Sequence, residues 1–325
     1  MFENFVIIDY ELVVQTPLRI GSGVQIGVVN TINDAYLNEN HLLIPGSTLR
    51  GLIGSQALKL ECVKSPPVCT KGKPCEFLRR CLAYEMICNW EHGFGCYFHF
   101  GQAHGKVQRW HSWHVRLNRE TKTVVKGVGP FAYEAFVAEG GQLKIKSKVI
   151  AEERLIELVK NSILAARGQC LGGRRSWGWG YIRKVSILGV RKPTIEESES
   201  EKLELEVKTP VPLYGRGLID AINIATHDLI SAIANKHISA SEVSVLELKG
   251  LMTISWWNEA LKKPYRVMAL KPGTRISLLF TTCEEASLVL NAVRMFGLTA
   301  SGQWYTKCGY GILTNLRTNI KRKKK

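Results

Sequence analysis

Two stretches of the chain carry the residue types that hold a polyanion: Leu171-Gly-Gly-Arg-Arg-Ser-Trp-Gly-Trp-Gly-Tyr-Ile182 and Ser301-Gly-Gln-Trp-Tyr-Thr-Lys-Cys-Gly-Tyr-Gly-Ile312. In each, glycines let the main chain approach a ligand, basic side chains supply charge, and aromatic rings offer faces for stacking. Arg174 and Arg175 are the candidates for phosphate contact and Trp177 for stacking on a base. Packing in a core or hairpin is the other reading of Trp177 and Trp179, and one of the two is expected to do only that. A looser echo precedes each loop, in Gln15-Thr-Pro-Leu-Arg-Ile-Gly-Ser-Gly23 and Lys208-Thr-Pro-Val-Pro-Leu-Tyr-Gly-Arg-Gly217. The chain reads as two copies of one module.

A second group of reactive side chains is a cluster of thiols. Of nine cysteines, Cys62, Cys69, Cys75, Cys81, Cys88 and Cys96 fall close together, with His92, His99, His104, His111 and His114 among and after them. In a cytosolic protein such a cluster more often binds zinc than forms disulfides, although no Cys-x-x-Cys pair is present. A structural zinc held by Cys69, Cys75, Cys81 and Cys88 is the expectation, with disulfides the alternative in a hyperthermophile. Histidines 104, 111 and 114, beside Trp110 and Trp113, invite an acid/base reading. Lys106, Arg109 and Arg116 make an RNA-contacting loop an equal one.

Elements that position these groups follow from periodicity. Phe5–Leu18 is rich in Val, Ile and Tyr and reads as an opening strand. In Ile44-Pro-Gly-Ser-Thr-Leu-Arg-Gly51 and beyond, Leu49, Leu52, Ile53, Ala57 and Leu60 share a helical face, with Ser47 as its N-cap. Gly51 and Gly54 inside that helix each cost about 1 kcal/mol relative to Ala, so either a packed sheet or an RNA backbone comes close there. A helix is expected over Ala151–Ala166, and a strand near Tyr181–Leu188. Strands at Leu203–Val207 and Arg275–Phe280 and helices near Asp220–Asn235 and Cys283–Phe296 follow, with a Thr282/Glu285 capping box.

Length and charge bound the rest. A chain of 325 residues is long enough for two domains, and 44 Lys and Arg against 28 Asp and Glu give a formal charge of +16. Such an excess favours a nucleic-acid partner through counterion release, with adaptation to its cell as the plainer explanation. Acidic residues interrupt the apolar start, so it does not read as a signal peptide, and no apolar run reaches a membrane span. A cytoplasmic protein without membrane contact is expected. The acidic segment near Ile195–Leu203 marks a boundary. The expected fold is α+β, with two tandem ferredoxin-like (RRM-like) modules at 1–190 and 203–325. A linker at 191–202 joins them, a Cys/His-rich insertion at about 61–115 interrupts the first, and the basic tail Lys321–Lys325 ends the second.

Taken together, Thr16-Pro-Leu-Arg-Ile-Gly-Ser-Gly23, Ile44-Pro-Gly-Ser-Thr-Leu-Arg-Gly51 and the Gly172–Gly180 loop resemble the RAMP superfamily of CRISPR-associated proteins. Among its members the chain is most similar to backbone or capping subunits of type III (Csm/Cmr) effector complexes. Arg116–Phe136 also resembles the β-hairpin thumb of that group. The resemblance covers residues 1 to about 185; the second half, which lacks an Ile-Pro-Gly-Ser-like helix start, matches only in pattern. It implies a subunit of an antiviral ribonucleoprotein that lies along CRISPR RNA and target RNA beside other effector subunits. Arg19, Ser47, Thr48, Arg50, Lys126, Arg174, Arg175 and Trp177 would contact the RNA. The helix start at Ser47 and Thr48 offers unpaired amides and a positive dipole end to a phosphate, with Arg50 adding charge.

In cleaving members of that group an Asp before the Ile-Pro-Gly-Ser helix assists metal-dependent cutting of target RNA. The loop here has one Asp, Asp34, while the corresponding spacing from Pro45 falls nearer Asn30. An amide does not replace a carboxylate on Mg²⁺ with equal strength, so catalysis rests on Asp34, whose other reading is a turn residue after Asn33. Two rival functions stand beside the resemblance. One is a metal-independent CRISPR-RNA-processing endoribonuclease; the other is a stand-alone RNA-binding protein, for which no RRM-type aromatic strand is seen.

Overall fold

The computed structural model describes residues 2–26, 29–32, 37–38, 41–64, 81–88, 95–115, 117–118, 120–125, 130–213, 217–234, 236–258, 263–298 and 309–316. The first half runs β1 (Phe5–Gln15), β2 (Gly21–Ile26), β3 (Val29–Ile32), β4 (Leu37–Asn38), β5 (His41–Ile44), α1 (Gly46–Lys64) and α2 (Leu82–Cys88). It continues through β6 (Cys96–Phe98), β7 (Gly101–His104), β8 (Val107–His114), β9 (Phe131–Ala138), β10 (Gln142–Glu152), α3 (Ile156–Leu164) and β11 (Ile182–Arg191). The second half runs β12 (Lys202–Val207), β13 (Val211–Pro212), α4 (Leu218–Ala234), β14 (Glu242–Glu247), β15 (Leu251–Asn258), β16 (Lys263–Leu270), β17 (Arg275–Leu279), α5 (Cys283–Met295) and β18 (Leu313–Asn315).

The architecture is mixed α/β, with mainly antiparallel sheets and few helices, as ferredoxin-like folds have. In one sheet the order is β11-β1-β10-β7-β5-β4, and in another it is β14-β17-β12-β18. Side chains of a strand alternate between faces, so β1 sends Ile8, Tyr10, Leu12 and Val14 into the core under α1 and α3. Phe5 and Ile7 point the other way, into the core of the second half. There Phe296, just past α5, lies 5.0 Å from Phe5 and 4.5 Å from Tyr97 by ring centres. Each such pair adds about 0.5–1.5 kcal/mol beyond area burial, which joins the two halves firmly.

The acidic 191–202 stretch is strapped to α5. Asn291 accepts a hydrogen bond from the Glu196 amide at 2.9 Å and donates to the Glu196 carbonyl at 2.7 Å, while Arg294 pairs with the Glu196 carboxylate at 2.8 Å. The α5 cap forms as its sequence predicts, with Thr282 accepting from the Glu285 amide and Glu285 accepting from the Thr281 amide.

Several boundaries differ from the sequence reading. Strand β1 stops at Gln15, before the Thr16-Pro17 turn. The helix expected from Ala151 begins at Ile156, because Ala151 and Glu152 still pair with Val6 and Phe5 in the sheet. Ser47 is not the N-cap: the amides of Thr48 and Leu49 both bond to the Pro45 carbonyl, so Pro45 caps and Ser47 lies inside the first turn. Cys96–Phe98 and Gly101–His104, within the stretch assigned to the insertion, pair with β10 as strands of the first sheet. His104, His111 and His114 accordingly stand on β7 and β8 rather than in a loop.

Candidate nucleic-acid interface

The loop from Leu171 to Gly180 is closed by main-chain bonds to the segment after β1. Leu171 donates to Gly180, Gly180 donates to the Pro17 carbonyl at 2.8 Å, and Gly173 donates to the Arg19 carbonyl at 2.9 Å. Leu18 in turn exchanges two bonds with Phe136 of β9, which fixes Arg19 between the loop and the β8–β9 hairpin. Gly172 has a φ of +82°, and a side chain there would press on the Arg19 carbonyl. Close approach of two main chains therefore explains this glycine.

Against this loop stands the N-terminal end of α1. The Thr48 amide, expected to be unpaired, bonds to the Pro45 carbonyl at 2.9 Å; with Pro45 as cap, helix geometry leaves the amides of Gly46 and Ser47 without partners in a preceding turn. Between the two lies a cavity of about 350 Å³ lined by Arg19, Ser47, Thr48, Gly51, Gly172 and Arg175. Gly51 is exposed, and a methyl group added to it would meet nothing within 4 Å. Its lack of a side chain thus serves open space, whereas Gly54 is buried against the core. Tyr310, from the second half, closes the cavity and packs edge-on against Phe100 at 5.1 Å.

Beside the cavity rises an aromatic wall. Arg174 takes a left-handed conformation, φ +59°, that turns its guanidinium to 3.6 Å from the Tyr133 ring centre and 4.7 Å from that of Trp177. Arg19 lies 5.2 Å from the same Tyr133 ring. Trp177 also meets His114 at 4.5 Å and Trp179 at 5.6 Å. Trp179 is buried while Trp177 is 42% exposed, so Trp179 is the packing member of the pair and Trp177 keeps a face open. A half-exposed Trp and Arg planes suit stacking on bases.

Electrostatics concentrate positive charge here. Burial, and then the like charge of Arg174, lower the Arg19 pKa, and the Glu134 carboxylate opposes this. Burial also lowers that of Arg174. Cys170 lines the cavity; its thiol is pushed up by burial against the pull of Arg175. An anion set among these guanidiniums relieves their mutual repulsion. His111 bonds to Glu134 at 3.1 Å and Ser112 to His114 at 2.8 Å, so both rings already have partners.

Arg19, Ser47, Thr48 and Arg175 are thus brought to one cavity, and Arg174 and Trp177 to its adjoining wall. Arg50 does not line it. Lys126 and Asp34 lie outside the described residues, as do Cys69 and Cys75. Sequence reasoning missed Tyr133 as the platform under two arginines. Its signal was Phe131 and Tyr133 spaced by two, which puts both on one strand face.

Of the proposed zinc ligands, Cys81 precedes α2 and Cys88 ends it. Among the described residues, no group of three or more Cys, His, Asp or Glu is placed to hold a metal, and no helix is long and apolar enough to cross a membrane.

The RAMP superfamily profile matches residues 11–183, and the chain belongs to that superfamily. No curated protein matches its sequence. Among solved structures, a chain of a type III-B Cmr-beta complex bound to cognate target RNA aligns at 17% identity and a TM-score of 0.39, over 58% of this chain and 61% of that one. This protein therefore spans about three-fifths of that chain's length. A Cas6 product complex aligns at 12% identity and a TM-score of 0.45, over 96% of this chain and 99% of that one.

Proposed function

We propose that the protein is a CRISPR RNA-binding subunit of a type III effector ribonucleoprotein, acting in RNA-guided antiviral defence beside other effector subunits. The observation that carries this reading is the glycine-walled cavity that joins the α1 N-terminus, Arg19 and Arg175. Its parts are those a sugar-phosphate backbone needs: helix-start amides, a dipole end, guanidiniums and main chain without side chains. Membership of the RAMP superfamily supports it. In this reading the chain is two tandem ferredoxin-like modules, a division supported by the matching strand order of the β11-β1-β10-β7 and β18-β12-β17-β14 sheets.

The subunit grips RNA through its backbone, and base pairing by the guide selects the target, as in other RNA-guided systems. The aromatic wall adds stacking that is tolerant of sequence. Recovery of the tagged protein from its own cells tests the assignment. CRISPR RNA and other effector subunits are expected to co-purify. Recovery without either, or specific metal-free cutting of repeat RNA by the isolated chain, would replace it with the stand-alone or the processing reading.

A further inference from the structure

On the face of the first sheet turned away from α1, a cavity of about 450 Å³ opens between β10, β11, the 193–196 segment and α5. Three cations line it: Lys148, Arg191 and Arg294. Asp9 pairs with Arg191 through Nε at 3.0 Å, and Glu196 pairs with Arg294 through Nη1 at 2.8 Å. Each guanidinium carries five N–H donors in a fixed fork, so each keeps donors beyond the one that meets its carboxylate. Among the described residues, Lys148 has no carboxylate within 4 Å, and the wall keeps one positive charge in excess. Thr314 adds a hydroxyl that is buried without a hydrogen-bond partner among the described residues.

Chains seldom leave a largely buried ammonium at the wall of a cavity without a counter-charge. Burial, and then the neighbouring Arg191, hold the Lys148 ammonium below the usual lysine pKa, with Asp9 opposing and Arg294 adding to the effect. What completes this wall is an anion with several acceptor oxygens, and the volume exceeds that of a bare tetrahedral oxyanion.

We propose that this cavity is a second anion site that takes a phosphate group carried on a nucleotide or a nucleic acid strand, with Lys148 as its central contact and Arg191, Arg294 and Thr314 around it. It is separate from the cavity at Arg19 and Arg175 and does not depend on the function assigned to that cavity.

Thermal melting of the full chain in phosphate and in chloride of equal ionic strength tests this. Phosphate raises the wild-type midpoint above that in chloride, and Lys148→Met loses at least half of that shift. The variant relieves crowding among like charges, so its midpoint in chloride stays at or above wild type, which separates lost binding from failed folding. Arg175→Ala keeps the Lys148-dependent shift. Short oligonucleotides with a 5′-phosphate or a 5′-hydroxyl then identify the source. Equal Lys148-dependent stabilisation by both assigns a backbone phosphodiester, and stabilisation by the phosphorylated one alone assigns a terminal phosphate. A phosphate shift no larger than in chloride, or one that Lys148→Met retains and Arg175→Ala removes, overturns the site.

Discussion

The guanidinium carbon of Arg174 lies 3.6 Å from the centre of the Tyr133 ring, so this arginine is held flat on an aromatic face rather than extended into the cavity that Arg175 lines. The two adjacent arginines therefore have different tasks, one positioned by stacking and one free to meet a phosphate. Arg175→Ala is expected to weaken binding of single-stranded RNA and to lower the slope of log affinity against log salt by about 0.7, the loss of one phosphate contact. Arg174→Lys keeps the charge but not the planar stack, so it leaves the slope unchanged and costs affinity a few-fold, in line with about 0.5–1 kcal/mol for a cation–π contact. Filter binding over a salt series measures both. Equal slopes for wild type and Arg175→Ala would reject the phosphate assignment.

Gly51 and Gly172 both line the cavity, for opposite reasons. Gly51 sits in a helix with open space above it, so Gly51→Ala is expected to raise stability by up to about 1 kcal/mol while its methyl group narrows the cavity and weakens RNA binding. Gly172 has φ +82° against the Arg19 carbonyl, so Gly172→Ala is expected to lose about 1–3 kcal/mol of stability and RNA binding together. Melting curves and RNA affinity, measured side by side, check the divergence. If Gly51→Ala binds RNA as wild type does, the cavity is not where RNA lies.

The echo between the two halves was legible because glycine and proline act through the main chain. Gly180 donates to the Pro17 carbonyl at 2.8 Å and Gly311 donates to the Pro210 carbonyl at 2.8 Å, so the Thr-Pro and Gly-aromatic-Gly motifs meet in the same way in each half. The face of α1 was legible too, since Leu49, Leu52, Ile53 and Ala57 are all buried. Helix ends and long-range contacts were not. Nothing local tells that Ala151 and Glu152 extend a strand, because their partners Val6 and Phe5 are far away in sequence. The spacing of Phe131 and Tyr133 puts both on one face of β9, but that this face meets Arg19 and Arg174 is set by tertiary packing against the loop.

Asn30 stands on β3 in register with Tyr133 of the neighbouring strand β9, which puts an amide-bearing residue beside the aromatic wall. If the chain grips without cutting, Asp34→Ala in the assembled complex leaves divalent-metal-dependent cleavage of target RNA at the wild-type rate. A loss of that cleavage, with assembly intact, would make Asp34 catalytic.

His99 ties the halves together and gives stability a pH dependence. Its Nε2 lies 2.7 Å from the Met295 carbonyl, which requires a hydrogen on Nε2. Burial, and then the nearby Lys148 charge, hold its pKa well below the ordinary histidine value, while the bond to Met295 opposes them. The unfolded chain takes up a proton near pH 6.5 and the folded chain does not. Unfolding therefore binds a proton below that pH, and stability falls there by about 1.4 kcal/mol per pH unit. Above about pH 6.5 neither state is protonated at this ring, and its contribution is flat. Gln at this position can still donate to the Met295 carbonyl but does not titrate. Denaturant unfolding between pH 5 and 7.5 is expected to show the slope in wild type and its loss in His99→Gln; parallel curves for the two would mean that the ring is protonated in the fold and that burial does not hold it neutral.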